Sequence, residues 1–383
     1  MTEAFSGLGR RLRLGVVGGG PGSFIGPMHR AAATLDGRFE IVGAVLSSDP
    51  ARGAAAAEAL GLPAYPDLAA MLATARLDAV AIMTPNDSHF ALCSAALEAG
   101  VHVVCDKPLT NSLAEAHALE SLARARNLVF CLTHGYAAYP MVRQARAMVA
   151  AGLLGDLRAV QVEYLQAGMS QRVEDGPLTK KQKWKFDTSR SGPSLVLGDI
   201  GTHAEHLARF VTGRRLEQIS ADLGALVPNR KVDDWCSALL RYEGGLRGTL
   251  TASQALAGTE NVITLRVYGE RGHLSWQHAA NNFLVWAPHG EAPRTLSRGG
   301  PGLLPPAARL TRIAPGHPEG LLEAFANLYR DTAEAIAARL TGVPPDPLAL
   351  EFATAADGVA GLAFIAAARE SSRQHGAWTD VPR

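Results

Sequence analysis

Three side chains in this sequence have the types that steady a developing charge and accept a proton: Lys107, Asp199 and His203. Lys107 lies in "VHVVCDKPLT", where the apolar run Val101 to Cys105 gives way to Asp106, Lys107 and Pro108. Proline fixes the backbone after the lysine, and an ammonium held there can hydrogen-bond a hydroxyl and stabilise the alkoxide formed as hydride leaves. The alternative is a surface lysine paired with its neighbouring acid. Asp199 and His203, in "GDIGTHAEH", are four residues apart. They share a helix face if the helix includes Asp199; otherwise Asp199 caps it. Histidine is a natural proton acceptor near neutral pH and a carboxylate can orient it, although a satisfied, partly buried imidazole fits the same residues. His206 follows His203 by three with no further ligand cluster, so no metal is expected.

A second group could hold a ligand rather than transform it. "GVVGGGPGSFIGPMHR" places Gly18, Gly20, Gly22 and Gly26 between a strand and a helix. Such a turn lets the backbone approach a pyrophosphate, whose charge is met by free N–H groups at the helix start. The spacing is wider than G-x-G-x-x-G and brings in Ser23, Phe24 and Ile25. The next strand ends "VLSSDPAR", with Ser47 and Ser48 where an acid usually reads the adenosine ribose and Arg52 one turn later. Hydroxyls and an arginine suit a 2′-phosphate or a bare ribose, which leaves NAD and NADP both open. Asp49 reads as a helix cap. The run "DAVAIMTPNDSHF", counted as the fourth strand, delivers Thr84, Pro85, Asn86 and His89 to the carboxyl edge of the sheet, with Asp106 and Lys107 on the strand after it.

The elements that must position these residues fall into two textures. Up to about residue 150, continuously apolar runs alternate with alanine-rich helical segments, implying βαβ units and a doubly wound parallel α/β sheet. Beyond about residue 155, runs such as "LRAVQVEYLQ", "WCSALLRY" and "NVITLRVYG" are joined by short turns, which implies an α+β domain with a large, mostly antiparallel open sheet. The expected division is residues 1–137 for the dinucleotide and 138–383 for substrate and oligomerisation. His134, Tyr136 and Arg143 after the sixth strand, with Trp184 in "KKQKWKFDTSR", supply hydrogen-bonding and stacking groups for a polyol.

The 37 basic and 36 acidic residues among 383 cancel to a formal +1, which leaves no footprint for nucleic acid. Four scattered cysteines give no zinc or disulfide pattern. With no signal-peptide pattern and no apolar run of membrane length, the chain reads as soluble and cytoplasmic, with no membrane partner. If the outer face of the open sheet is apolar it must be covered, which suggests a homodimer or homotetramer.

Together, the glycine turn ending in Gly26 and His29, "TPNDSH", "DKP" and "GDIGTH" resemble the Gfo/Idh/MocA oxidoreductases over the whole chain. That resemblance implies an N-terminal Rossmann-like domain and NAD(P)-dependent oxidation of a secondary hydroxyl, with Lys107, Asp199 and His203 acting at the carbinol. Asp106 stands where the family usually has glutamate. The widened turn, "SSDP", "CDKP" and "GDIGTHAEH" are most similar to the levoglucosan and glycoside 3-dehydrogenase branch, which implies NAD and C3 of a pyranose. An NAD-dependent glycoside hydrolase or lyase using transient redox, and a non-catalytic NAD-binding sensor, are the alternatives.

Overall fold

The computed structural model describes residues 3–383. In the first unit, β1 (Leu12–Gly18), β2 (Phe39–Val45), β3 (Ala79–Met83), β4 (His102–Cys105) and β5 (Phe130–Leu132) form one parallel sheet in the order β2-β1-β3-β4-β5. All five residues of β3 are buried, as expected of a strand covered on both faces. Each such valine or isoleucine contributes roughly 1.5–3 kcal/mol of apolar burial. The order reverses between β1 and β3, and ligands of such sheets bind beyond the carboxyl ends at that point. The "DAVAIM" strand is therefore third, not fourth. Before it, Ala64 makes only an isolated bridge to Ala44, because prolines 63 and 66 flank it and lack ladder donors.

The second unit carries β6 (Leu157–Gln166), β7 (Leu216–Gly224), β8 (Trp235–Tyr242), β9 (Arg247–Ser253), β10 (Asn261–Gly269), β11 (Gly272–Gln277), β12 (Phe283–Pro288), β13 (Arg294–Ser297) and the short β14 (Thr379–Asp380). They form a nine-stranded sheet ordered β13-β12-β11-β10-β6-β9-β8-β7-β14, antiparallel except for β6 beside β9. Val160, Val162 and Tyr164 on β6 and Ile263, Leu265 and Val267 on β10 alternate into the buried face, against which the helix Thr202–Thr212 packs.

The division of the chain differs from a single cut at residue 137. The first unit runs to Thr110, resumes at Ala114–Gly135 and takes in Leu321–Val359; the second holds Asn111–Leu113, Tyr136–Gly320 and Ala360–Arg383. The reason is the helix Leu321–Thr341, whose apolar face packs on the helix Ile25–Leu35. One further difference concerns apolar length. The helical stretch Pro347–Arg373 has a mean hydropathy of 1.6 and is long enough to cross a membrane, yet 56% of its apolar window is buried inside the fold. Leu362, Phe364, Ile365 and Ala368 are core residues.

Candidate active site

At the glycine turn, Gly18 and Gly22 both have φ of +82°, a region that penalises any Cβ. A Cβ on Gly20 would stand 2.1 Å from the Leu46 carbonyl oxygen, and one on Gly26 would stand 2.0 Å from that of Gly19. These two glycines let β1, the start of β2's following loop and the next helix close on one another. Beside Gly22 there is open space. A backbone cradle with room at one glycine fits a pyrophosphate. Arg30 braces the turn by donating to the Gly19 carbonyl at 2.8 Å. Ser23 Oγ accepts from the Gly26 N–H at 3.1 Å, while Phe24 stands 68% exposed at its rim.

After β2, Ser47 Oγ accepts from the Asp49 N–H, and Asp49 caps the next helix through the Arg52 N–H. Ser48 and the Arg52 side chain are exposed there. After β3, Thr84 Oγ accepts from Ser88, Thr84 and Pro85 are partly exposed, and Asn86 is buried.

Asp106 follows β4 in a fixed setting. Its Oδ1 accepts from His29 Nε2 at 3.0 Å and from the Thr133 hydroxyl at 2.6 Å. His29 Nδ1 lies 2.7 Å from the Tyr329 hydroxyl. Burial works against the Asp106 charge, but His29 and Thr133 outweigh it and hold the carboxyl down at about 2. The chain Tyr329–His29–Asp106–Thr133 anchors the backbone from which Lys107 projects, and gives His29 its work. The Lys107–Pro108 peptide is cis.

In the second unit Asp199 lies in a π-helical turn, Leu197–Gly201, that runs directly into the helix carrying His203. The helix thus includes Asp199 instead of being capped by it. Such widened turns are frequent at functional sites. Asp199 Oδ2 is ion-paired with Lys185 Nζ and accepts from Gln254 Nε2 at 2.7 Å. Gln254 Nε2 also reaches Gln166 Oε1 at 3.2 Å, and Gln166 donates to Asn261 Oδ1 at 2.7 Å. Tyr164 donates to the same Asn261 oxygen at 2.9 Å, and its hydroxyl lies 2.8 Å from that of Tyr136. Asn261 Nδ2 approaches Tyr136 and His278, and His278 Nε2 meets Tyr139 at 3.0 Å. The Tyr136 ring stands edge-on to His203, with centroids 5.0 Å apart. Burial pushes the Tyr136 and Tyr164 phenols up, so near neutral pH both remain hydrogen-bond donors and neither serves as a base. Links made by amides fix orientation without relaying protons, and this network ends on the Asp199 carboxylate.

The structure thus brings Tyr136 to His203, and Lys185 to Asp199. Trp184 is partly buried beside Lys185. Three expected ligand contacts are corrected. Arg143 is 1% exposed, donates to the Ala137 carbonyl and lies over the Phe210 ring; it braces the turn holding Tyr136 and offers no surface to substrate. His134 is buried at 2% exposure. His89 is fully buried, with both ring nitrogens spent on backbone carbonyls. His206 is a core residue stacked on Phe210. Among the described residues no group of three His, Cys, Asp or Glu side chains is arranged to hold a metal.

The reading from sequence missed Lys185, Gln254, Gln166, Tyr164, Asn261 and His278. One signal was present: the alternation that buries Val160 and Val162 continues to Tyr164 and Gln166, a polar end to an otherwise apolar face.

Comparison with known proteins identifies the family of both parts of the chain. Residues 12–134 match the oxidoreductase family model described as an NAD-binding Rossmann fold, and residues 142–275 match the Gfo/Idh/MocA C-terminal domain. The uncharacterized oxidoreductase YfiI of Bacillus subtilis (strain 168) is 32% identical, covering 97% of this chain and 98% of that one. A solved inositol dehydrogenase homolog of Azotobacter vinelandii, complexed with NAD+, is 36% identical with a TM-score of 0.91, covering 97% of both chains. The levoglucosan dehydrogenase of Pseudarthrobacter phenanthrenivorans is 26% identical, covering 70% of this chain and 74% of that one. The chain is a member of the Gfo/Idh/MocA oxidoreductase family, with an NAD-binding domain of that family at its N-terminal end.

Proposed function

We propose that this oxidoreductase is an NAD-dependent dehydrogenase oxidising a secondary hydroxyl of a cyclic polyol to a ketone. The substrate class is a sugar, anhydrosugar, glycoside or cyclitol. The observation that carries the reading is the Asp199 carboxylate, held ionic by Lys185 and Gln254 on the helix that presents His203. A binding module has no need of an oriented carboxylate one turn before an imidazole.

Bound nicotinamide supplies the hydride acceptor. Gly18, Gly20 and Gly22, with Ser23, Phe24 and Ile25, would hold the pyrophosphate; Ser47, Ser48 and Arg52 would meet the adenosine ribose; Thr84, Pro85, Asn86 and Asp106 would border the nicotinamide end. A ring nitrogen of His203 takes the hydroxyl proton, Asp199 orients that ring, and the Lys107 ammonium hydrogen-bonds the oxygen as its charge grows. Tyr136 and Trp184 flank the sugar ring. The likeness to the inositol dehydrogenase homolog supports cyclitols, while the resemblance to the glycoside branch supports C3 of a pyranose.

The test is a panel of inositols, anhydrosugars, glycosides and free sugars assayed by reduced-cofactor absorbance, with NAD and NADP separately. Stoichiometric NADH with a cyclic polyol supports the reading. Cleavage of a glycoside without net reduced cofactor, or no turnover with any member, removes it. A homodimer or homotetramer is proposed for the assembly.

A further inference from the structure

His89 opens the helix His89–Glu98 directly behind the Lys107 turn, and its ring is sealed from solvent. Nδ1 lies 2.9 Å from the Pro108 carbonyl oxygen, and Nε2 lies 3.0 Å from that of Thr84. Carbonyl oxygens only accept, and a neutral imidazole has one N–H and one lone pair. With either neutral tautomer, one lone pair would face a carbonyl lone pair inside the fold, where an unmade polar contact is expensive.

We propose that His89 is held as a buried imidazolium that ties the Thr84 carbonyl after β3 to the Pro108 carbonyl after β4, and so positions the turn bearing Lys107. Both joined segments belong to the carboxyl edge of the parallel sheet, so a single cation sets the spacing between the Thr84–Asn86 loop and Lys107. The importance of that spacing for turnover rests on the catalytic reading of Lys107.

The surrounding groups agree in sign. Burial by itself lowers the His89 pKa, whereas negative charge on Cys105 or Asp106 and the Pro108 carbonyl raise it. Cys105 is itself pushed well above the usual thiol range by burial and by Cys93. It is therefore a neutral thiol, which leaves Asp106 as the nearby anion that favours a charged ring. Two charge-assisted bonds to carbonyls and a nearby carboxylate offset the desolvation of the ring.

The proposal is tested on the wild-type protein, labelled with 15N-histidine and assigned by loss of the His89 signals in His89→Gln. At pH 8 both ring nitrogens are expected to show protected N–H protons with imidazolium shifts. A single ring N–H at pH 8 overturns the charge. The second arm compares His89→Gln with wild type, where misplacement of the turn is expected to lower kcat about tenfold or more, a larger factor than any weakening of the Kd for NAD read by fluorescence. Unchanged kcat in a folded His89→Gln protein overturns the positioning role even if the imidazolium is present. If Lys107→Ala itself leaves kcat unchanged, the catalytic reading fails, whereas the ring spectrum still decides the charge independently.

Discussion

Gln254 donates its side-chain amide to Asp199 Oδ2 across 2.7 Å, on the same oxygen that Lys185 meets from the helix Lys180–Lys185. Gln254 is 2% exposed, and its amide nitrogen faces the carboxylate. One ammonium and one amide meet the same carboxylate oxygen and orient it.

Replacement of either partner should therefore slow turnover without abolishing it. Gln254→Leu keeps the volume but removes the donor, and Lys185→Met removes the counter-charge while keeping the stem. Each is expected to lower kcat by about ten- to a hundredfold, because oriented charge is worth a few kcal/mol in a partly desolvated site. NAD affinity should hardly change. Steady-state kinetics alongside fluorescence titration checks this; wild-type kcat in both variants would show that Asp199 does not need them.

The glycine turn gives a prediction of a different kind. Gly20→Ala puts a methyl 2.1 Å from the Leu46 carbonyl oxygen, so backbone must shift where the cofactor would lie. NAD affinity is expected to weaken by about tenfold or more, some 1.4 kcal/mol. Gly168→Ala in the second unit is the control, since its Cβ would meet nothing within 4 Å and should leave NAD binding near wild type. Titration calorimetry on the two variants makes the comparison.

Acid stability should fall in two stages. Burial, outweighing Asp78, lowers the His102 pKa from 6.5 to about 4, and its Nδ1 accepts from the Val129 N–H at 2.9 Å. Between those values the unfolded chain binds more protons than the folded one, so stability declines as pH drops from 6.5 toward 4, by about 3 kcal/mol at most. Asp106, lowered from 3.8 to about 2, keeps its contribution above 3.8 and loses it as pH falls toward 2. Urea unfolding at stepped pH should show a clearly smaller first decline in a folded His102→Gln protein than in wild type, the remainder coming from His278, whose pKa burial also lowers. An undiminished decline in the variant would assign it elsewhere.

How much of this could be read in advance depended on whether a feature was local. The glycines at 18, 20, 22 and 26 declare themselves because only a turn pressed against other backbone demands them. The parallel strands are legible because burial on both faces leaves continuous apolar runs. Asp106 and Lys107 were visible for the same reason, being charges that end such a run. The partners of Asp199 were not. Gln254 follows β9, Lys185 lies in a loop helix, and Gln166 and Asn261 meet only through the β6–β10 register. No spacing along the chain encodes that meeting. Arg143 misled because an arginine near a suspected site resembles a ligand group until its burial is known. The return of residues 321–359 to the first unit depends on helix packing that periodicity cannot assign to a partner.

The decisive measurement is a double-mutant cycle on single-turnover NADH formation with Lys107→Ala, His203→Ala and the two combined, using the polyol that the panel identifies. If both residues serve the same carbinol in one step, each single change lowers the rate by about a hundredfold or more, and the pair costs little beyond the worse single variant. NAD affinity is retained throughout. Multiplying losses in the double variant, or a wild-type rate in either single one, would contradict a shared step at one carbinol.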